Sequence, residues 1–494
     1  MTQIDDATIR QMVEQVLQHV QSGWGGRVAP TPGHGAAPPV SAAAPAITAP
    51  AAGSRFGQFT NVNEAVEAAK TAQRALMRRS LAQRKIACDL ICQICINRAD
   101  ELGRMEYEET RIGHPPHKPG KLTIVGRTAL GVDYLRSECF SGDHGLTVEE
   151  HAPWGVIGVL TPVTHSLPTL ANNAVNLIAA GNSLVVNPHP GGWKIAAFGV
   201  RLFNQAIFEK LGIDNLISVI AEPTLESAQA IFKHPDVKLL CITGGPGAVA
   251  AAMVSGKRAI CAGPGNPPVV VDSSADLDNA ARCIIEGASF DNNLLCLAEK
   301  EVFVEAKVFA PMMDAMARAG AFRLSPQQMD HLASVCISQD KSSLHYVANR
   351  KFVGAEPQVI AQEIGLTIPP QCRLLFGETT QTHPFVQAEQ MMPVLPFVCA
   401  KDFEQAVAWA KSAEHGFGHT AVIHSRLVDH MTTMGKEMDT TIYVKNGPSL
   451  AGNGAGGEGY GSYSIACATG EGMTTPLTFT RIRRCTMVDN LRII

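Results

Sequence analysis

Short apolar runs alternate with helix-period segments through the middle of the chain. Four runs rich in Val, Ile and Leu are typical of strands buried in a parallel sheet: residues 155–160 (GVIGVL), 183–187 (SLVVN), 216–220 (LISVI) and 238–243 (KLLCIT). Helical segments lie between them, at residues 170–180, 194–211 and 225–232. This alternation predicts a doubly wound, Rossmann-type α/β unit that binds a nucleotide.

A second alternating region predicts a second α/β unit. Its strands are expected at residues 267–272, 302–304, 394–397 and 441–444. Helix-period segments at residues 63–79 and 81–109 precede the first unit. Two further strand patterns with charged flanks, at residues 145–150 and 478–488, suit a projecting oligomerisation hairpin and its partner strand.

The N-terminal residues carry a separate pattern. Residues 21–53 are rich in Pro, Gly and Ala and are interpreted as a linker, because the prolines prevent a regular element. Residues 1–20 predict an amphipathic helix, and a short helix on such a tether needs a docking surface. It either packs on the parent domain or serves as an address tag. Its apolar stripe consists of Ile9, Met12, Val13, Val16, Leu17 and Val20.

Composition and charge exclude several classes of function. The chain has 41 Lys and Arg residues against 45 Asp and Glu residues, a net charge of −4 that is too balanced for a nucleic-acid-binding surface. No stretch approaches the roughly 18 consecutive apolar residues of a membrane span, and no secretory signal pattern begins the chain. We therefore expect a cytoplasmic protein with neither nucleic-acid nor membrane partners.

The 13 cysteines lack the paired spacing of a metal site, and no metal is expected. Cys88, Cys92 and Cys95 share a helix face with neighbouring isoleucines, which favours core packing. Cys296 differs, because it follows a polar Asp-Asn-Asn turn within residues 289–300 (SFDNNLLCLAEK). A thiol there is a candidate nucleophile, since thiolate adds readily to a carbonyl carbon. A buried structural cysteine is the alternative.

Six motifs in order cover nearly all of the chain after the linker. They are residues 151–169 (HAPWGVIGVLTPVTHSLPT), 179–190 (AAGNSLVVNPHP), 242–249 (ITGGPGAV), 263–272 (GPGNPPVVVD), 287–296 (GASFDNNLLC) and 443–459 (YVKNGPSLAGNGAGGEG). Together they resemble the aldehyde dehydrogenase superfamily. Within it they resemble the coenzyme A-acylating propionaldehyde and acetaldehyde dehydrogenases of bacterial microcompartments. The resemblance implies an α/β fold with a Rossmann-type cofactor domain, an α/β catalytic domain and a small oligomerisation hairpin.

The resemblance also implies a division into domains. Residues 1–20 would be a targeting helix and residues 21–53 a linker. Residues 54–267 would form an NAD-binding domain with an oligomerisation segment near residues 141–153. Residues 268–445 would form the catalytic domain, and residues 446–494 would return to the cofactor domain and add an oligomerisation strand.

Cys296 falls on the family's catalytic cysteine. The resemblance implies that it attacks the aldehyde, that hydride passes to NAD and that the CoA thiol captures the resulting thioester. Cys261 stands where hydrolytic relatives carry a glutamate base, which favours transfer to CoA over hydrolysis. Alternatively, Cys261 only packs and Glu389 serves as the base. His165 replaces an oxyanion-binding asparagine of relatives, and it either keeps that role or caps its loop.

The remaining site residues are carried over from the same motifs. The TGG turn beginning at Thr243 would receive a pyrophosphate at a helix N-terminus. Asn187 stands where many relatives carry a ribose-binding lysine, and NAD is favoured because no basic residue stands ready for a 2′-phosphate. The implied cofactor-binding set is Thr161, Pro162, Val163, Thr164, Asn187, His189, Pro190, Thr243, Gly244, Gly245, Val249, Cys261, Ala262, Gly263 and Glu389. Pro448, Ser449 and Leu450 resemble the aldehyde-pocket loop.

These observations predict a CoA-acylating, NAD-dependent oxidation of a short aliphatic aldehyde, with propionaldehyde slightly preferred to acetaldehyde. A hydrolytic NAD-dependent aldehyde dehydrogenase is the alternative, and a catalytically idle scaffold is a hypothesis from another class. The resemblance further implies a homo-oligomer, either a dimer or a dimer of dimers. It implies a location in the cytoplasm inside a microcompartment, with residues 1–20 binding shell or cargo proteins.

Overall fold

The computed structural model describes residues 56–339 and 346–494, so the predicted targeting helix and linker lie outside the described residues. Fifteen α-helices occur within these ranges. They are α1 Val62–Met77, α2 Leu81–Asn97, α3 Ala99–Thr110, α4 Lys118–Thr128, α5 Ser166–Ala179, α6 Trp193–Leu211, α7 Leu225–Lys233, α8 Pro246–Met253, α9 Leu277–Ser289, α10 Phe309–Arg318, α11 Pro326–Cys336, α12 Pro357–Gln362, α13 Pro384–Gln387, α14 Phe403–Ala413 and α15 Val428–Met438.

Twenty β-strands occur in the same two ranges. They are β1 Gln58–Phe59, β2 Glu138–Gly142, β3 Gly145–Pro153, β4 Val156–Thr161, β5 Ser183–Pro188, β6 Ile217–Ile220, β7 Val237–Thr243, β8 Ala259–Ala262, β9 Pro268–Val271, β10 Glu301–Glu305, β11 Phe322–Leu324, β12 Ile337–Gln339, β13 Tyr346–Ala348, β14 Leu375–Thr379, β15 Val394–Ala400, β16 Thr420–His424, β17 Ile442–Lys445, β18 Ile465–Ala466, β19 Gly472–Met473 and β20 Thr480–Val488.

The first large sheet is parallel and has six strands in the order β1-β6-β5-β4-β7-β8. Its central strands β4 and β5 are almost entirely buried, which explains their uninterrupted apolar sequences. The four strands predicted from apolar runs correspond to β4, β5, β6 and β7, and helices α5, α6 and α7 lie between them in the chain. The predicted doubly wound α/β pattern is confirmed.

The second large sheet is also parallel, with seven strands in the order β11-β14-β15-β10-β9-β16-β17. Val269 in β9 pairs with Val302 in β10 on one side and with Val422 in β16 on the other. This register aligns three loops, because the segments that precede β9, β10 and β16 meet at the same edge of the sheet.

A third, antiparallel sheet contains β2, β3 and β20. Strand β20 pairs with β3 over nine positions, from Thr480 opposite Pro153 to Val488 opposite Gly145. Most of β20 is exposed, including Ile482 and Val488. The sequence patterns at residues 145–150 and 478–488 therefore do form paired strands.

The prediction of one continuous helical segment over residues 81–109 is wrong, because the structure has two helices there, α2 and α3. Arg98 leaves the helical region with φ −117° and ψ 19°, ending α2 and preceding α3. Its guanidinium binds Glu101 in the first turn of α3 at 2.7–2.8 Å. Helical periodicity continues across the break, so the apolar pattern gives no sign of it.

Helix α5 lies at the centre of the molecule and is buried along its whole length. Two of its asparagines bond to the C-terminal part of the chain: Asn172 Oδ1 accepts from the Tyr463 amide at 3.2 Å, and Asn176 Nδ2 donates to the Thr474 carbonyl at 3.2 Å. The segment after residue 446 thus returns to the first sheet. No described helix is both long enough and apolar enough to cross a membrane.

Candidate active site

The carboxyl ends of β4 and β7 form the crevice expected to bind a nucleotide. The strand order reverses between these two strands, since β5 lies beyond β4 and β8 lies beyond β7, and open α/β sheets bind ligands at such a point. Thr161 ends β4, is buried, and has an Oγ1 without a hydrogen-bond partner among the described residues. A buried hydroxyl of this kind fits a polar ligand group.

The TGG turn lies on the opposite side of this crevice. Thr243 ends β7, and its Oγ1 is 2.6 Å from Ser464 Oγ. Gly245 is the N-cap of α8, and no atom lies within 4 Å of where its Cβ would be. Ala248 and Val249 donate to the Gly245 carbonyl and Pro246 has no N–H, so the amides of Gly245 and Gly247 are the ones at this helix end that suit an anionic pyrophosphate. Val249 lies in α8, one turn further along.

Asn187 and His189 lie at the end of the neighbouring strand β5, but both already have local partners. Asn187 Oδ1 accepts from Ser227 Oγ at 2.5 Å, and its Nδ2 donates to the Thr224 carbonyl at 3.4 Å. His189 Nδ1 accepts from the Gly191 amide at 3.0 Å. Burial lowers the pKa of His189 to about 4, so its ring is neutral at physiological pH.

The predicted nucleophile follows a strained turn. Residues 291–293 have φ values of 48°, 55° and 64°, a left-handed run of three non-glycine residues. Asn292 Nδ2 donates to the Gly354 carbonyl at 3.0 Å, and its Oδ1 accepts from Arg373 at 2.6 Å. Asn293 Nδ2 donates to two carbonyls, those of Ala288 and Glu299. Asparagine tolerates the left-handed region and supplies the side-chain bonds that hold it.

Cys296 is half-buried, and its surroundings keep the thiol protonated. Burial and, to a smaller extent, the nearby Glu389 carboxylate raise the pKa of Cys296 to about 12, although Lys300 opposes them. Lys300 is fully buried and donates to the carbonyls of Asn293 and Leu295. Burial lowers the pKa of Lys300 to about 8. The sequence predicted the position of Cys296 but not this charge environment.

Glu389 is brought into the same site from the segment before β15. Its carboxylate is near enough to influence both Cys296 and Lys300, and its Oε1 accepts from the Gly265 amide at 3.4 Å. Burial raises the pKa of Glu389. The place of Glu389 in the implied cofactor-binding set stays a prediction.

His419 is a site residue that sequence reasoning missed. A Cβ on Gly265 would lie 2.7 Å from the Cys296 carbonyl oxygen and 2.8 Å from His419 Cγ, so both residues touch Gly265. His419 Nδ1 lies 2.8 Å from Thr420 Oγ1, while its buried Nε2 has no partner among the described residues. Burial and Lys300 lower the pKa of His419 to about 4. His419 reaches this site because β16, which it precedes, pairs in parallel with β9. No sequence motif marks it as a site residue.

His165 precedes α5, directly after the loop that ends β4. It is buried, its side chain does not cap the helix, and its Nδ1 has no partner among the described residues. Burial holds the pKa of His165 well below its usual range, and the ammonium groups of Lys121 and Lys118 add to the effect. The ring is therefore neutral and can donate one hydrogen bond. Its oxyanion role stays a prediction.

Cys261 lies in β8 within an apolar cluster that includes Ile242, Val249 and Ala252. Its side chain is fully buried, and its amide donates to Thr469 Oγ1 at 2.9 Å. This environment fits the packing interpretation of Cys261. Ala262 and Gly263 continue from it towards Gly265.

A cavity of about 530 Å³ adjoins the start of the Cys296 loop. Its lining includes Ile124 and Arg127 of α4, Phe290 and Leu450. Of the predicted pocket residues, Leu450 lines this cavity. Ser449 is fully buried and donates from its amide and from Oγ to the Glu299 carboxylate, each at 2.7 Å. Pro448 precedes it in the same loop.

Residues 38–462 match the model of the aldehyde dehydrogenase family. The chain belongs to that family. It is similar to the acetylating acetaldehyde dehydrogenase EutE of Salmonella typhimurium, with 44% identity over 440 residues that cover 89% of this chain and 94% of the relative. Membership of the aldehyde dehydrogenase family confirms the fold class predicted from the motifs.

Two solved structures extend the comparison of this aldehyde dehydrogenase. The propionaldehyde dehydrogenase of the Clostridium phytofermentans fucose utilisation microcompartment aligns with a TM-score of 0.86 and 41% identity, over 89% of this chain and 100% of that chain. The Rhodopseudomonas palustris propionaldehyde dehydrogenase, with bound CoA and an acylated cysteine, aligns with a TM-score of 0.85 and 39% identity. That alignment also covers 89% of this chain and 100% of the other.

Alkylation of Cys296 in this aldehyde dehydrogenase should accelerate steeply with pH. Because the pKa of the thiol is raised to about 12, the thiolate fraction grows about tenfold per pH unit between pH 7 and 9. Iodoacetamide labelling without cofactor, quantified on the Cys296 peptide by mass spectrometry, should show no plateau in that range. A plateau below pH 8 would contradict the assigned environment.

Substitution of Glu389 should make Cys296 more reactive. Glu389→Gln removes a negative charge beside the thiolate, which lowers the pKa of Cys296 and should speed its alkylation at pH 8 by about threefold or more. The matched control is Glu437→Gln, which removes an exposed carboxylate paired with Lys411. Equal rates in both variants would show that Glu389 does not act on the thiol.

Proposed function

We propose that this chain catalyses the NAD-dependent, CoA-acylating oxidation of a short aliphatic aldehyde. One observation carries the proposal: a strained, hydrogen-bonded turn precedes Cys296 and holds it in one site with Lys300, Glu389 and His419. The relative with an acylated cysteine and bound CoA supports the same chemistry.

The residues divide the work between them. When NAD is bound, it supplies the hydride acceptor. Thr161 and the amides at the start of α8 would hold it, as the unpartnered Oγ1 and free helix end allow. Cys296 Sγ attacks the carbonyl carbon; as the S–C bond forms, the thiol proton passes to solvent water and the carbonyl π electrons move to the aldehyde oxygen. The Cys296 amide and the neutral His165 ring stabilise the negative charge that develops on the aldehyde oxygen.

Thioester transfer needs a proton acceptor for the CoA thiol, and we assign this role to His419. Its pKa is lowered to about 4, so the imidazole is neutral at physiological pH and one ring nitrogen carries a free lone pair, which is weakly basic. Its Nε2 has no partner in the described residues, and its ring touches the same glycine as the Cys296 carbonyl. The amide of His419 donates to Glu414 Oε1 at 2.8 Å, which fixes the start of β16.

Acyl transfer to CoA is favoured over hydrolysis, because Cys261 supplies no carboxylate at the position of the hydrolytic base. Glu389 is the rival base for the hydrolytic alternative. Free acid and acyl-CoA, measured side by side with and without CoA, distinguish the two outcomes.

The substrate is a short aldehyde, and the preference for propionaldehyde over acetaldehyde stays a prediction. The relatives include enzymes named for each of the two aldehydes. A panel of C2 to C4 aldehydes with NAD or NADP and CoA, followed by absorbance of the reduced cofactor, decides both the aldehyde and the cofactor.

We further propose a homo-oligomer, assembled through the sheet of β2, β3 and β20. Large apolar side chains are exposed on it, including Phe140, Ile482 and Val488. We also propose that the enzyme works inside a bacterial microcompartment, with residues 1–20 as its address. The microcompartment origin of a structural relative supports this location.

Cys296→Ala should abolish formation of NADH because it removes the nucleophile, while NAD affinity stays within about twofold of wild type. Wild-type enzyme mixed with aldehyde and NAD, but without CoA, should give an acyl adduct on the Cys296 peptide, detectable by mass spectrometry. Steady turnover by the variant, or CoA being required before any hydride transfer, would contradict the mechanism.

Deletion of residues 1–20 should separate location from catalysis. The truncated enzyme should keep kcat within about twofold of wild type, because the catalytic residues lie elsewhere. It should no longer co-purify with the shell, and Val13→Asp with Leu17→Asp should reproduce this loss by charging the apolar stripe. Retention of both variants in the compartment fraction, or loss of activity in both, would contradict the address-tag interpretation.

A further inference from the structure

A buried charge cluster lies behind the Cys296 loop. Lys118 and Lys121 stand one turn apart on α4, and both side chains are fully buried. Both ammonium groups bind the same oxygen of Asp291, with Lys118 Nζ at 3.1 Å and Lys121 Nζ in a very short contact. The His114 amide also donates to Asp291, at 2.8 Å. Asp291 is the first of the three left-handed residues before Cys296.

One lysine would be enough to neutralise Asp291. The other carboxyl group in the cluster is Glu106 of α3, whose Oε1 accepts from the Ser166 amide at 3.0 Å. Its Oε2 has no hydrogen-bond partner among the described residues, and Glu106 forms no ion pair with either lysine, although its charge acts on both. Burying two ammonium groups that share one hydrogen-bonded carboxylate is costly, and that cost points to a role beyond charge balance.

The two lysines differ in one contact. Lys121 Nζ donates to the carbonyl oxygen of Thr164 at 2.8 Å. Thr164 lies in the loop that follows β4 and precedes His165. For Lys118, the only hydrogen bond of the ammonium among the described residues is the one to Asp291. Lys121 therefore joins the nucleophile loop to the loop of the first sheet that carries Thr161 and His165.

We propose that Lys121 is a positioning residue that fixes these two loops relative to each other. The inference rests on the proposed function, because it matters for rate only if Cys296 attacks and the loop of residues 161–165 supports the oxyanion and the cofactor. Lys121 contacts neither ligand under this proposal. It acts by holding Asp291 and the Thr164 carbonyl at a fixed separation.

Lys118 offers a matched control. Lys121→Met and Lys118→Met each remove one ammonium and leave the other paired with Asp291, so both variants keep a one-to-one ion pair in the core. If the cluster serves stability alone, the two substitutions should act alike. If Lys121 positions the two loops, only Lys121→Met should uncouple them.

Lys121→Met should lower kcat by roughly 10- to 100-fold, the scale of a displacement of about 1 Å in an active site. Its KM for aldehyde and for NAD should stay within about threefold of wild type. Lys118→Met should lower kcat by no more than about threefold. Equal kcat losses in the two variants, or a wild-type kcat in Lys121→Met, would overturn the proposal.

Hydrogen–deuterium exchange tests the same inference without substrate. Peptides that cover residues 161–168 should exchange faster in Lys121→Met than in Lys118→Met, since only the former frees the Thr164 carbonyl. The exchange rates test the positioning role of Lys121 even if the wild-type enzyme forms no acyl-CoA. A lack of acyl-CoA would reject the proposed function but not the positioning role. If a Met variant is insoluble, Lys121→Gln and Lys118→Gln provide the same comparison. Equal exchange in the paired variants would reject the positioning role.

Discussion

The left-handed turn at residues 291–293 is the constraint on which the active site depends. Each left-handed residue other than glycine costs on the order of 1 kcal/mol, so three in succession persist only where surrounding groups hold them. Those groups come from distant parts of the chain: Lys118 and Lys121 from α4, and Arg373 and Gly354 from the region before β15. The turn thus ties the position of Cys296 to the packing of both α/β units.

The two parallel sheets contribute opposite edges to the site. Thr161 and Thr243 lie at the carboxyl ends of strands in the first sheet, where a nucleotide is expected. Gly265, Cys296 and His419 precede β9, β10 and β16, at the amino edge of the second sheet. The proposed nucleophile and proton acceptor therefore come from one sheet and the proposed cofactor cradle from the other. The ion pairs of Lys118 and Lys121 with Asp291 cross between these two halves.

Much of this arrangement could be predicted from the sequence. Uninterrupted apolar runs identified the central strands, because a strand buried on both faces has no polar positions. A polar turn before an apolar strand made Cys296 a candidate nucleophile, and the family resemblance placed it on the catalytic cysteine. The break at Arg98 could not be predicted, since apolar periodicity continues through it, and neither could His419, which reaches the site only through strand register. Nothing in the sequence marks Lys118 and Lys121 as buried, and only the structure shows that they are.

The charges around Cys296 explain why a half-buried thiol that ligands can reach resists oxidation and alkylation. Lys300 is the cation beside it, but its ammonium is committed to the carbonyls of Asn293 and Leu295 and so supports the loop more than the thiolate. Burial and Glu389 therefore prevail, and the thiol stays neutral at rest. Oxidation and alkylation act on the thiolate, so a neutral thiol resists both. Under the proposed mechanism, thiolate character develops as the proton leaves during attack, so at neutral pH the resting thiol reacts slowly with other electrophiles.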